Sequence, residues 1–161
     1  MATKVELYIS RSTTEIEAAS ILFQISHTEQ FQDQFYLSKE TTFYSAVIAH
    51  AYYAIFYAAK AMLLSINKET TSPNIHQATY ETFEKEFITT GILDASIFLL
   101  YKSLIIRAEE LLTIYKHEKK KRGDYTYNIL PQANKVPAEE SIQHAKSFLK
   151  YCKAYLNNPR R

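Results

Sequence analysis

The chain has 161 residues, 47% hydrophobic and 14% aromatic, with two glycines, four prolines, thirteen tyrosines and no tryptophan. That length fits one domain around a single sizeable core, and so little Gly and Pro argues against sheets built on tight turns. A net charge of +2 is too small to announce nucleic-acid binding by itself, so any electrostatic case rests on where the charges cluster.

An all-α fold is therefore expected, a single domain over residues 1–161. Near the N-terminus, Val5, Ile9, Ile16, Ala19 and Phe23 share one helical face. Thr14 followed by Glu17 matches an internal capping box, which predicts a late start or a bend there. The first residues carry no basic-then-apolar leader pattern, so a cytoplasmic protein is expected. Residues 27–40, HTEQFQDQFYLSKE, read as a polar connection with room for a short helical turn. A second helix is predicted from about Thr42 to Asn67, its many alanines allowing a neighbour to approach closely. The apolar run Phe43 to Ile66 is interrupted by Ser45, His50 and Lys60, and reads as a buried helix rather than a membrane span.

KETTSPN, residues 68–74, is the clearest loop, with Pro73 and Asn74 as breakers. Tyr80, Phe83 and Phe87 then mark a short amphipathic helix stopped by Gly91. Leu93, Ile97, Leu100, Leu104, Ala108, Leu111 and Tyr115 recur at steps of three or four. They form one stripe on a helix reaching Arg122, on the order of 45 Å long. A linker leads to Pro137 at a helix start, with Glu139 and Glu140 in the first turn. Ile142, Ala145, Leu149, Cys152 and Leu156 line the buried side of that last helix. The expected architecture is four long helices and a short one.

Two features limit the chemistry. Cys152 is the lone cysteine, which excludes an internal disulfide framework and any cysteine-based zinc site, and its apolar neighbours predict a packed core side chain. No His-x-x-x-His spacing, P-loop, Gly-x-Gly-x-x-Gly or nucleophile elbow is present, so neither a metal nor a cofactor is expected. Among the histidines, His50 reads as a hydrogen-bonded core residue, His76 as part of a helix start, and His27 and His144 have no discernible partner.

The most unusual stretch is YKHEKKKRGDYTYN, residues 115–128, with five positive charges between residues 116 and 122. Two readings stand. Cations in the last helical turn before a Gly interact favourably with exposed carbonyls and the negative end of the helix dipole. The run at Lys119, Lys120, Lys121 and Arg122 is nevertheless denser than capping requires, and Tyr125 and Tyr127 follow at once. Lysines can hold phosphates while bases stack on the phenols.

FYSAVIAHAYYAIFYAAKAMLL, residues 43–64, resembles the central helix of the HEPN domain family. The likeness continues through Ser72 to His76, FEKEFITTGILD, RGDYTYN and AEESIQHAKSFLKYCKAYL, from about Ile16 to Leu156. Its most specific part is Tyr52-Tyr53-Ala54 combined with Asp124-Tyr125. The resemblance implies an up-and-down helical bundle that commonly pairs into a homodimer. It also implies a nucleotidyltransferase partner, in pairs that often act as toxin and antitoxin. The toxin is typically a metal-independent ribonuclease, with an Arg, four to six residues and then a His in a cleft between protomers.

Metal-free RNA cleavage needs a base for the 2′-hydroxyl proton and a cation for the charged transition state. Arg122 fills the second role, since its fork matches phosphate oxygens. Counting on from it gives Tyr127, Asn128 and Ile129, none of them His; counting four from Lys120 gives Tyr125. A phenol of pKa about 10 is a poor base at neutral pH unless cations depress it. Candidate catalytic residues are thus Arg122, Tyr125, Tyr127 and Asn128; Lys119, Lys120, Lys121 and Arg122 are the candidate RNA-binding cations. By analogy with toxins modified by their transferase, Tyr125 or Tyr127 is also a candidate nucleotide acceptor. Asp124, His117 and His76 complete the set, His76 because the family often has His there. His117 points well away from Arg122 of its own helix, about 140° on ideal geometry, but meets it across a dimer in one arrangement.

Overall fold

The computed structural model describes residues 1–71, 73–121 and 135–158, and of these it describes 112–121 by backbone alone. Six α-helices make up the described chain: α1 Lys4–His27, α2 Glu29–Gln34, α3 Tyr44–Ser65, α4 Ile75–Phe83, α5 Ala95–Lys121 and α6 Lys135–Asn157, with a π-helical turn at Glu84–Ile88 following α4. The four long ones form the bundle, and two short ones rather than one decorate it.

Helix α1 starts at a capping box, but one turn from the chain start rather than at Thr14. The Glu6 amide donates to Thr3 Oγ1 at 3.2 Å and the Thr3 amide to Glu6 Oε2 at 2.6 Å. The Thr14 hydroxyl instead donates to the Ser10 carbonyl at 3.1 Å, so the helix runs straight through that position. Helix α3 ends in a Schellman motif. Asn67 takes the left-handed φ of 58°, and the Lys68 and Asn67 amides donate to the carbonyls of Leu63 and Leu64 at 2.9 and 3.0 Å. Gly91, φ 72°, turns the chain after the π-helical turn, as expected. Helix α6 begins at Lys135, two positions before Pro137, and its first turn holds no acidic residue. Pro is tolerated there because the first-turn N–H groups have no intrahelical partner.

Alanines set how the helices approach. Ala51, Ala54, Ala58, Ala59 and Ala61 of α3 are fully buried, and α1 lies close enough for the Ser12 hydroxyl to donate to the Ala54 carbonyl at 2.7 Å. The two helices run antiparallel, with Tyr8 against Tyr57 near one end and Phe23 against Tyr44 near the other. Helices α5 and α6 are antiparallel as well. Ser103 meets His144, and Arg107 meets Pro137 and Ser141. The core is aromatic where the π-helical turn closes the bundle. Phe83 lies 5.2 Å from Phe87 and 5.4 Å from Phe148, while Tyr101 meets Phe148 edge-on at 5.6 Å. Cys152 is fully buried beside them, and burial pushes its thiol pKa up. By length and composition α3 is apolar enough to cross a membrane, but 67% of that apolar window is buried in the bundle.

Candidate functional site

The stripe on α5 packs inward as far as Leu111, which lies against the cluster containing Val47 and Ile142. The helix then runs on to Lys121, about 15 Å further at about 1.5 Å per residue. Its last backbone turn carries Lys119, Lys120 and Lys121, and His117 lies one turn earlier; their side chains lie outside the described residues. Arg122, Asp124, Tyr125, Tyr127 and Asn128 also lie outside the described residues. What the fold does fix is the root of this extension. Arg107, mostly buried, donates through Nη1 to the Pro137 carbonyl at 3.1 Å and to Ser141 Oγ at 3.0 Å. Its Nη2 reaches Glu140 Oε2 at 2.6 Å. One guanidinium thus ties the middle of α5 to the start of α6.

His76 is the one candidate whose side chain is described. It does not cap α4; Asn74 is the N-cap and makes no side-chain cap bond. The imidazole turns back onto α3, 4.2 Å from the Phe56 ring and 5.6 Å from Tyr52, and shares a 2.8 Å hydrogen bond between its Nδ1 and the Tyr52 hydroxyl. Burial, and then the nearby positive charge of Lys60, lower its pKa, so it is neutral at neutral pH. Tyr52 is pushed up to about 12, first by burial and then by Tyr53 and the Glu109 carboxylate. Tyr52 of α3 thus holds α4 through His76.

Lys60 is the charged residue that sequence reading left aside. It is only 6% exposed, and its ammonium donates to the Thr70 carbonyl at 2.7 Å while lying 5.5 Å from the Tyr8 ring centre. Burial lowers its pKa. Nothing in the local sequence signals this, because its partner stands in the loop after the helix.

The other three histidines with described side chains have partners. His50 reaches Glu15 Oε2 at 2.6 Å and is half-buried rather than a core residue. His27 bonds the Phe23 carbonyl at 2.6 Å and His144 meets Ser103 Oγ at 2.9 Å, although neither showed a partner in the sequence. Among the described residues no three His, Cys, Asp or Glu side chains are placed to hold a metal ion.

The sequence profile of the HEPN domain family matches residues 24–155. A protein of Methanocaldococcus jannaschii named "Putative toxin MJ0142" is 30% identical over 114 residues, which cover 71% of this chain and 66% of that protein. The match thus spans just under two thirds of the relative's length.

Proposed function

The chain belongs to the HEPN domain family, and from that premise we propose a toxin-like protein that binds RNA at the basic end of α5 and works with a nucleotidyltransferase partner. The observation that carries this reading is the likeness to a relative named as a toxin. The cations between residues 116 and 122 supply the chemistry it needs. In this reading two protomers pair, and their basic turns line a shared cleft. Arg122 grips a phosphate there, the lysines add charge, and Tyr125 or Tyr127 stacks on a base or receives a nucleotide from the transferase.

Any cleavage by this cleft is endonucleolytic and metal-independent. It is also slow, because losing a general base costs on the order of 10²–10⁴ in rate. Inducible expression tests the proposal. Wild type is expected to arrest growth, and Arg122→Ala to restore it at equal protein level. Healthy cells under wild-type induction, with RNA intact and unbound in vitro, contradict it.

The absence of a His at positions 127–129 favours a second reading, a non-catalytic subunit that binds a transferase or a nucleotide. Capture of a transferase by a protein that leaves RNA intact in a simple gel assay selects that one.

A further inference from the structure

A strip of aromatic rings crosses the face formed by α1, α3 and the start of α4. Tyr53 and Tyr57, one turn apart on α3, stack at 6.3 Å and 28°. Tyr57 continues onto Tyr8 of α1 at 6.1 Å and 20°. His76 meets Tyr53 edge-on at 5.8 Å. Tyr53 is 40% exposed, so the strip presents a ring to solvent.

Positive charge backs the strip. The Arg11 guanidinium lies over Tyr57 at 4.8 Å, and Lys60 lies 5.5 Å from the centre of Tyr8. Arg11 is exposed, and among the described residues no carboxylate lies within ion-pair distance of it. Its fork is therefore open to a phosphate. Cations already occupy the ring faces, which disfavours a cationic ligand. A ligand with both a π face and a negative charge fits both features at once.

We infer that Tyr53, Tyr57, Tyr8 and Arg11 form a stacking platform for single-stranded RNA, with a base on Tyr53 and a neighbouring phosphate on Arg11. Exposed aromatics beside cations are the usual means of holding single strands without reading their sequence. The ring spacings decide the mode. A base inserted between two rings needs about 6.8 Å, twice the stacking rise of about 3.4 Å. The ring centroids are only 6.1 and 6.3 Å apart, so bases stack on the exposed Tyr53 rather than enter the strip. This inference deepens the RNA-binding reading and rests on it for the class of ligand.

The test measures binding of a fluorescein-labelled oligouridylate and oligoadenylate to the full chain by anisotropy, across a salt series. Tyr53→Ala is expected to weaken binding about 5- to 150-fold with no change in salt slope, and Tyr53→Phe to restore it. Arg11→Ala is expected to lower the slope by about 0.7, the value for one single-strand phosphate contact. Arg122→Ala, measured alongside, separates the two sites. Loss with Arg122→Ala but wild-type affinity in both Tyr53→Ala and Arg11→Ala overturns the platform and leaves the basic turn standing. Loss with Tyr53→Ala but not Arg122→Ala supports the platform and removes the basic turn. No binding by wild type removes both. A change in sedimentation with Tyr53→Ala and none in RNA affinity makes the face a protein interface and overturns the inference.

Discussion

The Tyr52 hydroxyl and the His76 imidazole meet at 2.8 Å across the loop that separates α3 from α4. With the phenol pKa pushed up to about 12 and that of the imidazole lowered, both are uncharged at neutral pH, so the phenol donates to Nδ1. Tyr52→Phe keeps the ring and deletes this bond. A loss of about 1 kcal/mol is expected, read as a fall in Tm of about 2–4 °C by calorimetry. An unchanged Tm means the bond contributes nothing to holding α4 against α3.

Two partly buried histidines give the stability a direction with pH. His76 and His144 both have folded pKa values lowered by burial, with Lys60 adding to the effect at His76 and Arg107 at His144. The unfolded chain then binds more protons than the folded one once the pH drops below the unperturbed value of about 6.5. Their stabilising contribution is complete above that pH and is lost as the pH falls through it towards the folded values. Urea midpoints should decline from pH 7.5 to 5.5, and a His76→Gln, His144→Gln double variant should flatten that limb. A double variant as steep as wild type assigns the decline to other groups.

Tyr101 offers a prediction of opposite sign. It is fully buried, burial raises its pKa, and its hydroxyl finds no partner among the described residues. An unmatched buried hydroxyl costs about 1–3 kcal/mol, so Tyr101→Phe should leave stability equal or higher. A clear drop in the urea midpoint indicates a hydrogen bond to an internal water, which the variant removes.

Tyr36 closes α2 in a left-handed conformation, φ 55°, with its ring 96% exposed. The Leu37 amide donates to the Gln32 carbonyl at 2.8 Å, completing the same motif that Asn67 makes after α3. A tyrosine there carries the steric cost that glycine avoids and gains nothing from packing. Tyr36→Gly should raise Tm by about 2–4 °C, corresponding to about 1 kcal/mol. A lower Tm instead shows that the exposed ring has a contact in solution.

Helix content and order were legible because the signals are local and repeated. The stripe from Leu93 to Leu111 and the alanines of α3 state their period and their closeness directly. The start of α1 was not, because Thr3-x-x-Glu6 and Thr14-x-x-Glu17 are the same pattern and only the hydroxyl's choice of partner separates them. Side-chain pairings were the least legible part. His76 with Tyr52, His144 with Ser103 and Lys60 with Thr70 join positions brought together only by the finished bundle. The basic turn is the reverse case, plain in the sequence as a run of charge, with its side chains outside the described residues.

Binding of single-stranded RNA by the purified chain, with and without the triple change Lys119→Ala, Lys120→Ala and Arg122→Ala, tests the central claim most directly. Wild type should bind, and the triple variant should lose affinity while its salt slope falls by about 0.7 for each phosphate contact removed. Equal affinity and equal slope in the two proteins, both folded by circular dichroism, would contradict the account.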